Sequence, residues 1–272
     1  MSGGPAINAA RAPLLSIVIP VRDEAATIPA LAAEIASVFA ASAHAWEVVW
    51  VDDGSRDATR AQLRMVPAPQ RFLGFERSCG QSAALLAGVL AARGEWIATL
   101  DGDGQNDPAD LPRLLARARA ESFDLINGIR LRRHDGWVRR LSGGIANLVR
   151  TWLTGPSVRD TGCSTRVVRR AALLSLPRFD GMHRFLATLV RMQGGRIAEM
   201  PVNHRPRLGG RSKYGIGNRL FRGVRDVLGV RWLIARQRPW HVVEESRPAT
   251  APVEARQESI GLASGAGDQR ER

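Results

Sequence analysis

The 272-residue sequence has few cysteines, a single lysine and no long apolar run. Cys79 and Cys163 are too few for a disulfide framework, so we expect reduced thiols in a cytosolic protein. No stretch reaches about 18 uninterrupted apolar residues, which predicts no transmembrane helix. Residues 1–13 lack the apolar core of a secretory signal. There is no Gly-x-Gly-x-x-Gly after the first predicted strand, no P-loop, no zinc-ligand spacing and no Ser-His-Asp elbow. These absences argue against dinucleotide dehydrogenases, P-loop proteins, zinc proteins and serine hydrolases.

The charge is strongly unbalanced. Lys and Arg number 39 against 26 Asp and Glu, so the net charge is +13. This excess predicts a polyanionic partner, which could be nucleic acid, anionic lipid or a phosphorylated substrate. The only lysine, Lys213, stands beside the only tyrosine, Tyr214. Because an ammonium and a guanidinium bind phosphate differently, we expect Lys213 to have a functional role.

Strand and helix patterns alternate five times in the first half of the sequence. The predicted strands cover residues 14–20, 46–51, 71–75, 96–100 and 123–129. The predicted helices cover residues 24–39, 56–65, 81–92 and 108–120. This alternation predicts an α/β fold in which helices flank a mostly parallel sheet. The second half is less regular, with predicted helices at 137–153, 184–192 and 216–237, a strand at 196–202, and a loop leading into a strand at 160–168.

Two groups of acidic residues follow predicted strands. Asp101 and Asp103, with Gln105 nearby, could bind Mg²⁺ or Mn²⁺ and thereby a diphosphate, or could form a polar turn before the next helix. Asp52 and Asp53 could accept hydrogen bonds from a nucleobase or ribose. The carboxyl ends of parallel strands are where such sheets bind ligands, which favours the functional interpretation of both groups.

Basic residues dominate the second half. They could bind phosphates, or simply form a solvated basic face. This set comprises Arg130, Arg139, Arg140, Arg205, Arg207, Arg211 and Lys213. Residues 217–236 mix arginines with large apolar residues, which predicts an amphipathic helix that lies on an anionic membrane surface or packs on the domain.

Four motifs, at residues 19–24, 51–55, 101–105 and 210–214, occur together in one order and spacing. In this the sequence resembles family 2 glycosyltransferases of the GT-A fold, and particularly the polyprenyl-phosphate sugar transferases typified by dolichol-phosphate mannose synthase. The resemblance covers about residues 14–235. It departs from the family at Arg22 and Asp23, where an aromatic residue and Asn are common, and in lacking the transmembrane helices of many relatives.

The resemblance implies roles for individual residues. The metal ligands would be Asp101, Asp103 and Gln105. Residues that would bind the nucleotide sugar are Pro20, Arg22, Glu24, Asp52, Asp53, Asp101, Asp103, Arg130, Ser212 and Lys213. Residues that would take part in catalysis are Asp103, Arg130, Asp160, Arg207 and Lys213. Residues 160–166 would lie beside the acceptor, and Asp160 could act as a base. The implied domains are a flexible terminus at 1–13, a GT-A domain at 14–214, an amphipathic membrane-proximal region at 215–240 and a disordered tail at 241–272.

The implied reaction is inverting, metal-dependent transfer of a hexose from a nucleotide sugar to a polyprenyl phosphate. GDP-mannose is our preferred donor, with a UDP-hexose as the alternative. We expect Mg²⁺ or Mn²⁺ as cofactor and a peripheral location on the cytoplasmic face of the membrane, and we leave a membrane-protein partner open. Alternatives are a saccharide hydroxyl as acceptor, a relative that only binds nucleotide, and a nucleic-acid-binding protein, which the aromatic content of 6% makes remote.

Overall fold

The computed structural model describes residues 12–130, 153, 155, 158–206 and 216–236, and within the last range the side chains of 223 and 225–236. The strands are β1 Leu15–Val21, β2 Trp46–Asp52, β3 Gln70–Gly74, β4 Trp96–Thr99, β5 Leu125–Arg130, β6 Arg166–Arg169 and β7 Ile197–Val202. The helices are α1 Ile28–Phe39, α2 Thr59–Leu63, α3 Gln81–Ala91, α4 Asp110–Ala120, α5 Arg170–Leu174, α6 Leu186–Met192 and α7 Ile216–Arg236. A single 3₁₀ turn, Met182–Arg184, precedes α6.

The seven described strands form one mixed sheet in the order β3-β2-β1-β4-β6-β5-β7. β1 runs parallel to both β2 and β4, β2 is parallel to β3, and β5 is parallel to β7. β6 pairs antiparallel with β4 on one side and β5 on the other. The five strands predicted from the first half are therefore all parallel, as expected. One later strand separates the fourth from the fifth.

The apolar core lies in two layers, one on each face of the sheet. Because side chains alternate between the faces of a strand, Ile17 and Ile19 of β1 belong to one layer and Val18 to the other. The first layer packs against α1 and α4. The second packs against α3, α6 and α7. Burial on both faces explains why β1 and β2 are largely apolar and do not alternate between apolar and polar residues.

The predicted elements that fall within the described residues are confirmed with shifted ends. Helix α1 begins at Ile28, four residues after the predicted start, because residues 22–27 form a loop that Thr27 closes. The backbone N–H of Thr27 donates to the carbonyl of Glu24 at 3.0 Å, and its hydroxyl donates to the carbonyl of Gly102 at 2.6 Å. Helix α5 was not predicted. The helix predicted at 137–153 lies outside the described residues except for residue 153, and the predicted terminus and tail also lie outside them, apart from residues 12 and 13. In the part of the chain that the structure describes, every helix is too short or too polar to cross a membrane.

Candidate active site

The loops after β1 and β2 are joined at the carboxyl edge of the sheet. The backbone N–H of Asp23 donates to Ser55 Oγ at 2.9 Å, and the N–H of Arg56 donates to Asp23 Oδ1 at 2.8 Å. The N–H of Glu24 donates to Thr59 Oγ1 at 2.8 Å. These bonds make the two loops one surface, and they place the loop that holds Arg22 and Glu24 beside the loop that follows Asp52 and Asp53.

Asp52 and Asp53 both accept hydrogen bonds from neighbouring loops. Asp52 is buried and accepts from Ser55 N at 2.9 Å and Arg60 Nε at 2.8 Å. Asp53 accepts from Ser78 Oγ at 2.8 Å, Cys79 N at 2.6 Å and Gly80 N at 3.1 Å. The two carboxylates therefore shape the loops after β2 and β3. Contact of either with a nucleobase stays a prediction.

Arg22 lies on the exposed side of the same loops. Its Nη1 donates to Ser78 Oγ at 2.9 Å, so it contacts the residue that also binds Asp53. Pro20 lies near the end of β1, in register with Val51. The structure thus brings Pro20, Arg22 and Asp53 to one edge of the sheet.

The loop after β4 carries Asp101 and Asp103. A Cβ at Gly102 would lie 2.4 Å from Val21 Cγ1, so only glycine lets this loop approach β1 so closely. Gly104 has a backbone φ of 73°, which residues other than glycine rarely adopt. Both glycines are therefore required for the turn that brings the two carboxylates together.

Asp101 is held from two sides. Its Oδ1 accepts from Gln81 Nε2 at 3.1 Å, and its Oδ2 accepts from Ser164 Oγ at 2.6 Å. Burial raises the pKa of Asp101 and the neighbouring charge of Asp103 raises it further, whereas Arg166 and Arg130 act in the opposite direction. The protein has thus placed two carboxylates close enough to repel each other, an arrangement that a cation would stabilise.

The donor set fits a hard divalent cation. Two carboxylates leave several coordination positions for phosphate oxygens and water, as Mg²⁺ and Mn²⁺ sites commonly do. Among the described residues no group of three or more His, Cys, Asp and Glu side chains could hold a metal ion. Gln105 Nε2 donates to the carbonyl of Arg205 at 3.3 Å, and its role as a third ligand stays a prediction.

Arg130 and Asp160 form a two-point ion pair. Arg130 Nε donates to Asp160 Oδ2 at 2.7 Å, and Nη2 donates to Oδ1 at 2.8 Å. The hydrogen bond to Asp160 raises the pKa of Arg130. The expected phosphate-facing cation and the expected base are therefore each other's partners, which the sequence did not indicate.

Arg205 is paired in the same way. Its guanidinium contacts Glu34 at 2.7 Å and Asp107 at 2.8 Å. Asp107 also accepts from Ala109 N at 3.0 Å, as expected of a residue that closes the turn before α4. Arg205 therefore has carboxylate partners on α1 and on the loop before α4, and its place in a phosphate-binding set stays a prediction.

Sequence reasoning placed Arg166 in the segment 160–166 beside the acceptor but gave it no role of its own in the framework of the site. This buried guanidinium donates to Asn127 Oδ1, to the carbonyl of His183 and to the carbonyl of Thr161, all at 2.8–2.9 Å. The available signal was the arginine that opens β6, next to two buried valines. Three further expected site residues, Arg207, Ser212 and Lys213, lie outside the described residues, so their roles stay predictions.

Comparison with known proteins decides the family. Residues 16–174 match the family model described as glycosyl transferase family 2. The chain belongs to this family. As a family 2 glycosyltransferase it is an enzyme, and the expected family and reaction class are confirmed.

Two curated relatives of this glycosyltransferase have names that specify a polyprenyl phosphate. A dodecaprenyl-phosphate galacturonate synthase from Rhizobium johnstonii is 37% identical over 235 residues, which are 84% of this chain and 69% of the relative. An undecaprenyl-phosphate 4-deoxy-4-formamido-L-arabinose transferase from Salmonella choleraesuis is 36% identical over 206 residues, which are 74% of this chain and 62% of the relative. The chain thus spans about two thirds of the length of these relatives.

Solved structures confirm the GT-A fold. Glucosyl-3-phosphoglycerate synthase from Mycobacterium tuberculosis, in complex with Mn²⁺, UDP and phosphoglyceric acid, superposes with a TM-score of 0.63 at 21% identity, over 82% of this chain and 79% of that one. The same enzyme with Mg²⁺ and UDP gives a TM-score of 0.62 over the same shares of the two chains. The mixed sheet described above is therefore the sheet of a GT-A fold.

Proposed function

We propose that this family 2 glycosyltransferase moves a sugar from a UDP-sugar to a polyprenyl phosphate with the help of Mn²⁺ or Mg²⁺. The observation that carries the proposal is the charge pattern at the carboxyl edge of the sheet. The negative charge of Asp103 raises the pKa of Asp101, and the positive charges of Arg130 and Arg166 lower it. Such a pattern suits a dication and two phosphate groups.

The pairing of Asp160 supports a phosphate acceptor over a hydroxyl. A hydroxyl needs a general base that can take its proton. Taking a proton would cost Asp160 its ion pair with Arg130, which both of its oxygens contact. A phosphate monoester has a second pKa of about 6, so it is already an anionic nucleophile at neutral pH. The acceptor class that needs no base therefore fits better.

The curated relatives and the solved structures favour a UDP-sugar over GDP-mannose. The relatives are named for galacturonate and for 4-deoxy-4-formamido-L-arabinose, and the solved neighbours contain UDP. Our initial preference for mannose has no support among these proteins. A divalent cation bound by Asp101 and Asp103 would neutralise the departing diphosphate.

Helix α7 supports an additional proposal, that the enzyme rests on an anionic membrane surface. Val227, Val230 and Ile234 face the core of the domain. On the opposite face Leu228 and Trp232 are more than half exposed. The exposed residues around them include three arginines, at 225, 231 and 236. Apolar side chains among arginines are suited to the boundary between anionic headgroups and acyl chains, where a polyprenyl phosphate is found. We place this contact on the cytoplasmic face.

A label-transfer assay tests the reaction. Purified enzyme is mixed with Mn²⁺, a polyprenyl phosphate and a panel of labelled nucleotide sugars that includes UDP-galacturonate, UDP-glucose and GDP-mannose. We expect label from a UDP-sugar to enter the organic phase, and EDTA to stop the transfer. Label in a soluble saccharide would instead establish a hydroxyl acceptor. Transfer from GDP-mannose alone would refute the UDP assignment.

Vesicle sedimentation tests the membrane face. The double variant Leu228→Ser/Trp232→Ser should lose binding to vesicles that contain phosphatidylglycerol. A matched control, Met65→Ser/Leu90→Ser, removes two exposed apolar side chains elsewhere on the surface and should bind as the wild type does. Equal binding by both variants would refute the role of α7.

A further inference from the structure

Residues 160–166 connect two parts of the site. At the start of this segment Asp160 holds Arg130. At its far end Ser164 donates to Asp101 Oδ2 at 2.6 Å, and the carbonyl of Ser164 accepts from Thr99 Oγ1. The segment therefore contacts one of the predicted metal ligands directly, through a single hydroxyl.

Asn106 makes a second connection between the segment and the loop after β4. Its Oδ1 accepts from the backbone N–H of Asp101 at 3.0 Å, and its Nδ2 donates to Thr165 Oγ1 at 2.8 Å. Ser164 Oγ also lies 3.2 Å from Asn106 Oδ1. The single hydroxyl proton of Ser164 is directed mainly at the closer, negatively charged Asp101, because hydrogen bonds to a carboxylate are shorter and stronger.

The two aspartates differ in how firmly they are held. Asp101 receives side-chain bonds from α3, through Gln81, and from the segment, through Ser164. Among the described residues, Asp103 receives one bond, from the backbone N–H of Gln105 in its own turn, at 3.1 Å. Asp101 is thus oriented by residues distant in sequence, whereas the orientation of Asp103 is set within its own loop.

We propose that Ser164 is a positioning residue for the metal site: its hydroxyl fixes the orientation of Asp101 and links that carboxylate to the segment that holds Arg130. The inference rests on the proposed function, because it takes Asp101 to be a metal ligand. Residues that orient metal ligands typically contribute about 10–100-fold in metal affinity or activity. Ser164 is a residue of this kind, because its hydroxyl contacts Asp101, the predicted metal ligand.

The test is Mn²⁺ binding in the presence of UDP, measured by electron paramagnetic resonance, which requires no turnover. We expect Ser164→Ala to weaken Mn²⁺ binding about tenfold, while UDP binding in EDTA and the melting temperature stay as in the wild type. Ser164→Thr retains the hydroxyl and should restore most of the affinity. Ser175→Ala is the control, because Ser175 donates to Gln193 on the surface.

A double-mutant cycle tests the link along the segment. A Cβ at Gly162 would lie 3.0 Å from Arg130 Nη2, so Gly162→Ala disturbs the Arg130 end. If Ser164 links the Arg130 end of the segment to Asp101, Gly162→Ala should weaken Mn²⁺ binding when it is made in the wild type. The same substitution made in Ser164→Ala should weaken Mn²⁺ binding little further. Independent, additive effects would refute the link.

The outcomes separate the inference from the proposed function. If the wild type binds no Mn²⁺ with UDP, the metal site is refuted and the role of Ser164 with it. If the wild type binds Mn²⁺ and Ser164→Ala binds it equally well, only the role of Ser164 is refuted.

Discussion

Replacing Asp160 by Asn separates two roles of this residue, a general base and a partner of Arg130. Asp160 is 5% exposed and accepts two guanidinium bonds at 2.7 and 2.8 Å. Loss of a general base would lower kcat by about 10²–10⁴. Loss of the ion pair alone would act mainly on stability, because Asn still offers Arg130 one acceptor oxygen. We therefore expect Asp160→Asn to keep kcat within about tenfold of the wild type, far above the loss that removal of a base causes.

The stability change follows from burial. Removing one partner of a buried ion pair costs about 3–5 kcal/mol. The Arg130 side chain is 16% exposed and Asn retains one hydrogen bond, so we expect the lower end, about 3 kcal/mol. For a domain of this size that lowers Tm by about 6–12 °C, at about 2–4 °C per kcal/mol.

The assay measures kcat at saturating donor and acceptor, with Tm by calorimetry on the same preparations. Asp124→Asn is the control, because Asp124 pairs with Arg169 at 3.4 Å beside the start of β5, at the opposite end of that strand from Arg130. Its pair is more exposed, so the cost should stay below about 1 kcal/mol and kcat should not change. A fall in kcat of about 10³ in Asp160→Asn, with Tm nearly unchanged, would show that Asp160 is a base and would refute the argument for a phosphate acceptor.

Three further predictions follow from single contacts. Asp103→Asn should abolish turnover while Tm stays unchanged, because Asp103 contributes charge to the metal site and is bound only within its own turn among the described residues; full activity would remove its metal role. His183 has its pKa lowered to about 4, chiefly by burial, so stability should fall as the pH drops from 6.5 to 4, by up to about 3 kcal/mol. Urea titrations should show a flatter pH dependence in His183→Gln, and an unchanged dependence would contradict the assignment. Gly102→Ala should cost about 1–3 kcal/mol by overpacking against Val21, whereas Gly223→Ala, with open space around it, should be neutral or stabilising in the same titrations.

The first half of the fold was predictable because its signals are local. Strands β1, β2 and β4 are short, largely apolar runs buried on both faces, and helices α1, α3 and α4 have buried apolar residues at helical spacing. The position of Asp101 and Asp103 at a strand end followed from the same pattern. What the sequence alone could indicate about the predicted metal site therefore came from the local pattern of strands and helices around it.

The remainder depends on contacts between distant residues. The antiparallel strand β6 lies in the sheet between β4 and β5. A local sequence pattern can predict a strand, but it does not indicate which other strands that strand pairs with. The pairing of Arg130 with Asp160 joins residues 30 apart, and that of Arg205 with Glu34 joins residues 171 apart. An arginine that binds phosphate and one that binds a carboxylate look alike in a sequence, so only the fold distinguishes them.

The charges at the site give a physical reason for the proposed metal. With all five side chains ionised, Asp101, Asp103 and Asp160 contribute three negative charges and Arg130 and Arg166 two positive ones, so this group is negative by one unit. The diphosphate of a nucleotide sugar and a phosphate acceptor are both anionic, and unscreened repulsion in a partly buried site is strong. A dication bound by Asp101 and Asp103 would reverse the sign of the group. The predicted cations of residues 207–213 would then act on a site that already attracts phosphate, and their role would be to select and orient it.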